Sequence, residues 1–243
     1  MPAFLTGTSN HIVRVTRTTL LHTTVSQTIY NPPLDCGLDL VYCDDALLMV
    51  NKPAGLLSVP GRGVDKADNL ATRVQNKFPD ARSVHRLDMS TSGLLVFARG
   101  ADMHRRLSQL FRERMIRKYY VAMVAGQFES NMGEVDLPLN SDWPNRPRQK
   151  VNFIRGKNSL THYRVLSHDA VNNITRVELE PVTGRTHQLR VHMAAIGHPI
   201  LGDALYGGKA GTSAQRLLLH AGILSFIHPV SGEPLTMVCT APF

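Results

Sequence analysis

The chain lacks the marks of several protein classes. It has three cysteines, Cys36, Cys43 and Cys239, widely spaced and with no CxxC pair. An even disulfide framework and a four-cysteine zinc site are thereby excluded, and reduced thiols in a cytoplasmic protein are the simplest reading. Cys43 and Cys239 fall in apolar segments and are expected in the core. No apolar run approaches the roughly 20 residues of a membrane helix. Neither a P-loop nor a GxGxxG sequence occurs, which removes the commonest nucleotide-binding signatures. Aromatic residues are 6% of the chain, with one Trp, and acids are outnumbered, 19 against 27 Lys and Arg.

What is present is a 243-residue chain, 43% hydrophobic, enough for one large domain whose core needs no staples. Residues 1–33 are Thr-rich, carry only Arg14 and Arg17 as charges and show no clean periodicity. They read as a poorly ordered N-terminal extension without the compact apolar stretch of a secretory signal. From Leu38 the pattern changes. LDLVYC and ALLMVNKP flank Asp44-Asp45 and predict two strands around a tight turn. Asp68 or Asn69 caps a short helix through Val74 that stops before Pro79. SVHRLDMSTSGLLVFA predicts strand, polar loop, strand. ADMHRRLSQLFRERM is the clearest helix, with Met103, Leu107, Leu110 and Phe111 at helical spacing. KYYVAMVAG follows as a strand, and GEVDLPLNSDWPNRPRQKVNF, broken by Pro138, Pro144 and Pro147, predicts an exposed loop region. LTHYRVLSH and ITRVELEPV predict antiparallel strands joined near Asn172-Asn173. TGRTHQLRVHMAAIGHP predicts a loop into a helix capped by Thr186 and ended at Gly197. LLLHAGILSFIHP and LTMVC close the chain as strands. Hairpins with scattered helices indicate an α+β fold with a mainly antiparallel sheet.

The formal net charge is +8, and it is concentrated. Arg99 to Lys118 carries a net +5, and Arg146 to Lys157 another +5 with no acid, so the remainder is slightly acidic. One such block is most simply a solvated helix face. Two Arg-led blocks holding the whole surplus favour a nucleic-acid footprint, and Arg outnumbers Lys 20 to 7, a bias toward the planar fork that grips phosphates. Trp143 and Phe153 beside the second block either stack on bases or belong to the core.

Two motifs could carry chemistry. HRLDMSTSG at 85–93 places Asp88 two residues after Arg86 and just before a polar turn, where a turn or capping role is the ordinary one. GRTHQLRVH at 184–192 places Arg185 ahead of a helix and Arg190 within it. Arg190 could hold a buried carboxylate by a bidentate contact or could be a surface ion pair. His187 and His192 are five apart, about 140° around a helix, and cannot clamp zinc as an i, i+4 pair does. Polar core or capping roles suit them better, and His85 reads as a structural hydrogen-bonder.

HRLDMSTSG followed about a hundred residues later by GRTHQLRVH resembles the RluA-type pseudouridine synthases. NKPAGLLSVPGR at 51–62, KYYVAMV at 118–124, DLPLNSDWPNRPRQKV at 136–151, GHPILGDALYG at 197–207 and RLLLHA at 216–221 are similar to the same family in the same order. The resemblance implies a catalytic domain over 34–243 without an S4-like RNA-binding domain, a mixed, mainly antiparallel central sheet with flanking helices, a central cleft, and no metal or cofactor. It implies Asp88 as the nucleophile, Tyr120 packing on and hydrogen-bonding the target base, Arg190 paired with the aspartate, and Arg86 entering the stack vacated by the flipped base. Arg106, Arg114, Trp143 and Arg146 are the candidate RNA-binding residues of the two basic blocks. The branch it most resembles implies RNA partners, uridine 32 of tRNA anticodon stem-loops and uridine 746 of 23S rRNA, a monomer, and no role for DNA or membrane. Three roles of the carboxylate are compatible with the residues: attack at C1′, addition at C6, or removal of the C2′ proton. A related synthase with another target uridine, a hydrolase needing a second carboxylate, and an RNA-binding protein without activity are the alternatives.

Overall fold

The computed structural model describes residues 30–63 and 66–243. Most of the expected N-terminal extension, residues 1–29, lies outside the described residues. Its last residues do not hang free: the Tyr30 hydroxyl donates to Asp68 O and accepts from Leu57 N, and Pro33 O accepts from Arg73.

A ten-stranded mixed sheet organises the chain. The first half comprises β1 (Leu40–Cys43), β2 (Leu47–Lys52), α1 (Leu70–Lys77), β3 (Ala81–Ser83), β4 (Ser92–Arg99) and α2 (Gly100–Arg112). Then come β5 (Arg117–Ala125), β6 (Met132–Asp136), a small β7–β8 hairpin (Leu139–Ser141, Gln149–Val151), β9 (Leu160–Asp169), β10 (Ile174–Pro181), α3 (Gln188–Ala195), β11 (Leu219–Ile227) and β12 (Pro234–Val238). The strand order is β1-β2-β4-β11-β5-β10-β9-β6, with β3 beside β4 and β12 beside β11. All pairings are antiparallel except β4 with β11, which is where the two halves meet.

Local chemistry explains these elements. The Asp44 carboxylate accepts from the N–H groups of Ala46 and Leu47 and closes the β1–β2 turn, the usual Asx device. Asn69, rather than Asp68, caps α1 by accepting from Thr72 N. The runs LLMV in β2 and LLVF in β4 are apolar without alternation because both sheet faces are covered. α2 presses Met103 and Leu107 on one face, against Leu47, Met49, Leu94 and Val96. α1 presses Leu70, Ala71 and Val74 on the other, against Leu48, Val50, Leu95 and Phe97. β10 alternates buried and half-buried residues, and Leu189 and Met193 of α3 cover Val177 and Leu179 on its inner face.

Three local expectations need correction. The proline-rich stretch is not all loop: it contains β6 and the β7–β8 hairpin, and its three prolines lie between strands, where no ladder donor is lost. Cys43 is exposed because β1 is an edge strand, and Cys239 is only partly buried. Thr186 does not cap α3. His187 occupies that position with φ 56° and no side-chain cap, while the Gln188 side chain reaches back to accept from Arg185 N.

Candidate active site

The junction of the two halves is tight. Gly93 on β4 pairs with Ala221 on β11, which pairs with Tyr120 on β5. Gly93 has φ +114°, and an added Cβ would stand 2.3 Å from Ala221 O, so only glycine lets the strands close here. Over this junction lies a cleft of about 540 Å³ lined by residues from the 85–91 loop, the end of α2, β5 and the loop entering α3.

Asp88 stands in that cleft on a loop pinned on both sides. The Ser58 hydroxyl donates to Leu87 O and accepts from Leu87 N. Met89 O accepts from Gly55 N and from the Lys52 ammonium. The backbone makes the expected turn, Thr91 N donating to Asp88 O, but the carboxylate does not cap it. It faces Arg190 Nη1 at 3.3 Å and His187 Nε2 at 3.8 Å. That orientation separates Asp88 from an ordinary turn aspartate.

Arg190 makes its bidentate contact elsewhere than expected. Its Nε and Nη2 bond the two oxygens of Asp203 at 2.8 and 2.7 Å, and only Nη1 is left for Asp88. Arg190 and Asp203 are 5% and 1% exposed, so the pair is a buried anchor and Asp88 is the partner at the cleft surface. Burial pushes the Asp203 carboxyl up, but the Arg190 guanidinium and the N–H groups of Leu205 and Tyr206 together hold it below the usual carboxylate range. Tyr120 also lines the cleft. Burial, and then the charge of Asp88, raise its phenol pKa, so the hydroxyl keeps its proton.

Lys52 is fully buried, and its Nζ donates to Pro53 O, Leu56 O and Met89 O at 2.8, 2.7 and 3.1 Å. Burial pulls its pKa down to about 7, opposed by the charge of Asp88. Three carbonyls take all three ammonium protons, a set only the charged form completes. Lys52→Met is expected to cost about 3 kcal/mol of stability by stranding these carbonyls. Urea unfolding at neutral pH checks this; a loss below about 1 kcal/mol would show that the carbonyls find other donors.

The cleft wall is cationic. Arg86, Arg112, Arg114, Lys118, Arg185 and Arg190 line it, and Asp88 is its only acid among the described residues. Arg114 reaches the wall through a strained turn. It has φ 60°, its N–H bonds Phe111 O, and Met115 N bonds Leu110 O, the two bonds of a Schellman ending whose left-handed position is normally glycine or asparagine. Lys118, two residues before Tyr120 on β5, has its pKa lowered by burial and by Arg114.

Of the other sequence candidates, Arg106, Trp143, Arg146, Phe153 and His192 lie outside the cleft lining, while His85 borders it. Arg106 on α2 pairs with Asp102 and reaches Pro229 O. Trp143 is exposed, with the Arg146 guanidinium stacked over its ring at the tip of the β7–β8 hairpin. Phe153 is exposed, so neither aromatic belongs to the core. His85 is structural: Nε2 accepts from Val96 N, the ring stacks on Phe111, and burial drives its pKa down to about 3. His192 is fully buried, with Thr161 and Leu137 O on its two nitrogens.

Sequence reasoning missed His187 as a cleft residue, and Asp203 and Tyr206 as the partners of Arg190 and His187. The signal for Asp203 was an acid inside the apolar stretch ILGDALYG, a placement that requires a buried partner.

The chain is similar to known proteins over most of its length. The family model for RNA pseudouridylate synthase matches residues 46–195. The chain is 51% identical over 215 residues to the dual-specificity RNA pseudouridine synthase RluA of Escherichia coli (strain K12), covering 88% of this chain and 98% of that protein. It is 52% identical over 205 residues to the RluA of Yersinia pestis, covering 84% and 99%. Among solved structures, human RNA pseudouridylate synthase domain containing 1 superposes with a TM-score of 0.71 at 31% identity, covering 89% of this chain and 86% of that one. Asp88, Tyr120, His187 and Arg190 fall inside the matched span, whereas Asp203 and Tyr206 lie beyond it. The chain belongs to the RNA pseudouridylate synthase family, and it is an isomerase that converts uridine to pseudouridine in RNA.

Proposed function

We propose that Asp88 is the nucleophile of this isomerase and that the surrounding cations hold the RNA backbone while one flipped uridine enters the cleft. The observation that carries this reading is a single acid in a cleft lined by six cationic side chains. Phosphates are drawn to such a wall, and one carboxylate aimed inward by a guanidinium is what an internal rearrangement needs. The N1–C1′ bond breaks with its electron pair on the base, C5 joins C1′, the C5 proton leaves, and N1 gains one. Nothing is oxidised, reduced or hydrolysed. A glycoside hydrolase would use two carboxylates across the bond; the neighbouring Asp203 is buried and spent on Arg190.

Tyr120, a protonated phenol at the cleft floor, packs on the target base and hydrogen-bonds it. Arg86, exposed at the mouth, takes the place the base leaves in the stack, offsetting part of an unstacking cost of a few kcal/mol. The targets are uridine 32 of a tRNA anticodon stem-loop and uridine 746 of 23S rRNA, supported by the resemblance and by the dual specificity named for the bacterial relatives. Loops are where bases leave their stack most readily. The cleft is built by one chain, so a monomer in the cytoplasm, where these RNAs reside, suffices. Pseudouridine mapping of an anticodon stem-loop and a 23S fragment after incubation with the protein tests the targets. One pseudouridine in each is expected, and conversion of neither would overturn them.

The first basic block contributes unevenly along its length in this reading. Arg112→Glu with Arg114→Glu is expected to weaken RNA binding and to reduce the slope of log K against log salt by about 1.5, the share of two lost phosphate contacts. Arg106→Glu, away from the cleft, leaves that slope nearly unchanged. Equal effects of the two would place the RNA across the outer face of α2 instead.

A further inference from the structure

His187 sits in the left-handed region with φ 56°, where non-glycine residues are uncommon and His, Asn and Asp are the tolerated ones. Its ring is mostly buried between Asp88 and Tyr206. The Tyr206 hydroxyl lies 2.7 Å from His187 Nδ1 and accepts from the Gln149 backbone N–H at 2.7 Å. A phenol has one proton to give, and among the described residues Nδ1 is its only acceptor. Donation from Tyr206 to Nδ1 gives that proton its acceptor, and the neutral imidazole then carries its own proton on Nε2. Burial keeps the ring on the neutral side by lowering its pKa, against the charge of Asp88. Nε2 faces Oδ2 of Asp88 at 3.8 Å, and Arg190 Nη1 faces the same oxygen at 3.3 Å. No donor among the described residues reaches Oδ1.

We propose that His187 is a positioning residue for Asp88: with its tautomer set by Tyr206, its Nε2–H restrains Oδ2 together with Arg190 and leaves Oδ1 as the oxygen that engages the uridine. This rests on Asp88 being the nucleophile. The contact of 3.8 Å is electrostatic rather than a hydrogen bond, and such contacts commonly tighten in the reacting complex. Two donors on one oxygen stop the carboxylate from turning and hold the other oxygen toward the cleft, so the loss of either donor acts on the chemical step more than on RNA binding.

Two substitutions at one position separate positioning from a structural role. The amide N–H of His187→Gln reaches where Nε2–H was, while that of His187→Asn stops near Nδ1. Asn tolerates the left-handed backbone better than Gln, so a purely structural role predicts Asn at or above Gln in both stability and activity. Positioning predicts the reverse for activity. The Gln variant is expected to keep kcat within about 5-fold of wild type and the Asn variant to lose about 30-fold, with KM little changed in both. Thermal melts accompany both. Tyr206→Phe, which frees the imidazole proton to sit on either nitrogen, is expected to lower kcat about 10-fold at unchanged KM. Activity of Asn at or above that of Gln, or wild-type kcat in Tyr206→Phe, overturns the proposal. Asp88→Asn is assayed beside them: if it is inactive, such a result condemns only the role of His187, and if it is active, the assignment of Asp88 itself fails.

Discussion

Arg190→Met is expected to lower the stability of the protein by about 3–5 kcal/mol and to abolish conversion of RNA. The substitution keeps most of the side-chain volume and removes the charge, so the loss is electrostatic. Asp203 is 1% exposed and would remain as a buried carboxylate with only the N–H groups of Leu205 and Tyr206 for support. The pH dependence follows from the direction of its shift. In the wild type the folded carboxyl lies below its unfolded value, so it contributes stability above the ordinary carboxylate range and loses it as the pH falls through the folded value. Without the guanidinium, burial dominates and raises the folded pKa. The contribution then reverses, fully present below the unfolded value and lost as the pH rises from there through the raised folded value. The gap between wild type and variant should be widest near neutrality and narrow as the pH approaches about 4. Urea unfolding across that range checks this, and a gap independent of pH would show that Asp203 does not depend on Arg190.

Asp88→Asn is expected to slow conversion by at least about 10⁴-fold, the scale of removing a nucleophile from a site whose other parts remain. Binding should move the other way. Removing the single acid from a cleft lined by six cationic side chains leaves RNA affinity equal or a few-fold tighter. Folding should be unaffected, because Arg190 keeps its two bonds to Asp203 and the loop keeps its pins at Leu87 and Met89. Gel-shift titration and pseudouridine mapping on the same preparation measure both. A variant that loses binding and conversion together would make Asp88 a structural residue of the loop.

How far the sequence could be read depended on whether the signal was local. The β1–β2 turn, α2, the β9–β10 hairpin and the α+β class follow from periodicity and turn residues a few positions apart. The parallel β4–β11 pairing does not, since it joins His220 to Ser92 and nothing near either residue announces the other. Asp88 and Arg190 could be proposed as partners only through the family resemblance, and the same pairing hid the larger fact that Arg190 belongs first to Asp203. The place of His187 in the cleft escapes helical spacing, which weighs it only against His192. In the fold it precedes the helix, in the left-handed region, and turns its ring to Asp88. The charge blocks were half legible: the chain shows where cations are dense, but only the ending of α2 shows that Arg114 turns into the cleft while Arg106 does not.

The most direct test uses one RNA stem-loop labelled with tritium at C5 of uridine, incubated with saturating wild type or Asp88→Asn under single-turnover conditions. Release of that proton accompanies the new C5–C1′ bond whichever position Asp88 engages. Wild type should release one tritium per RNA, and Asp88→Asn, bound to the same extent, should release none on that timescale. Equal release by the two proteins would contradict the assignment of Asp88 as the residue that carries the chemistry.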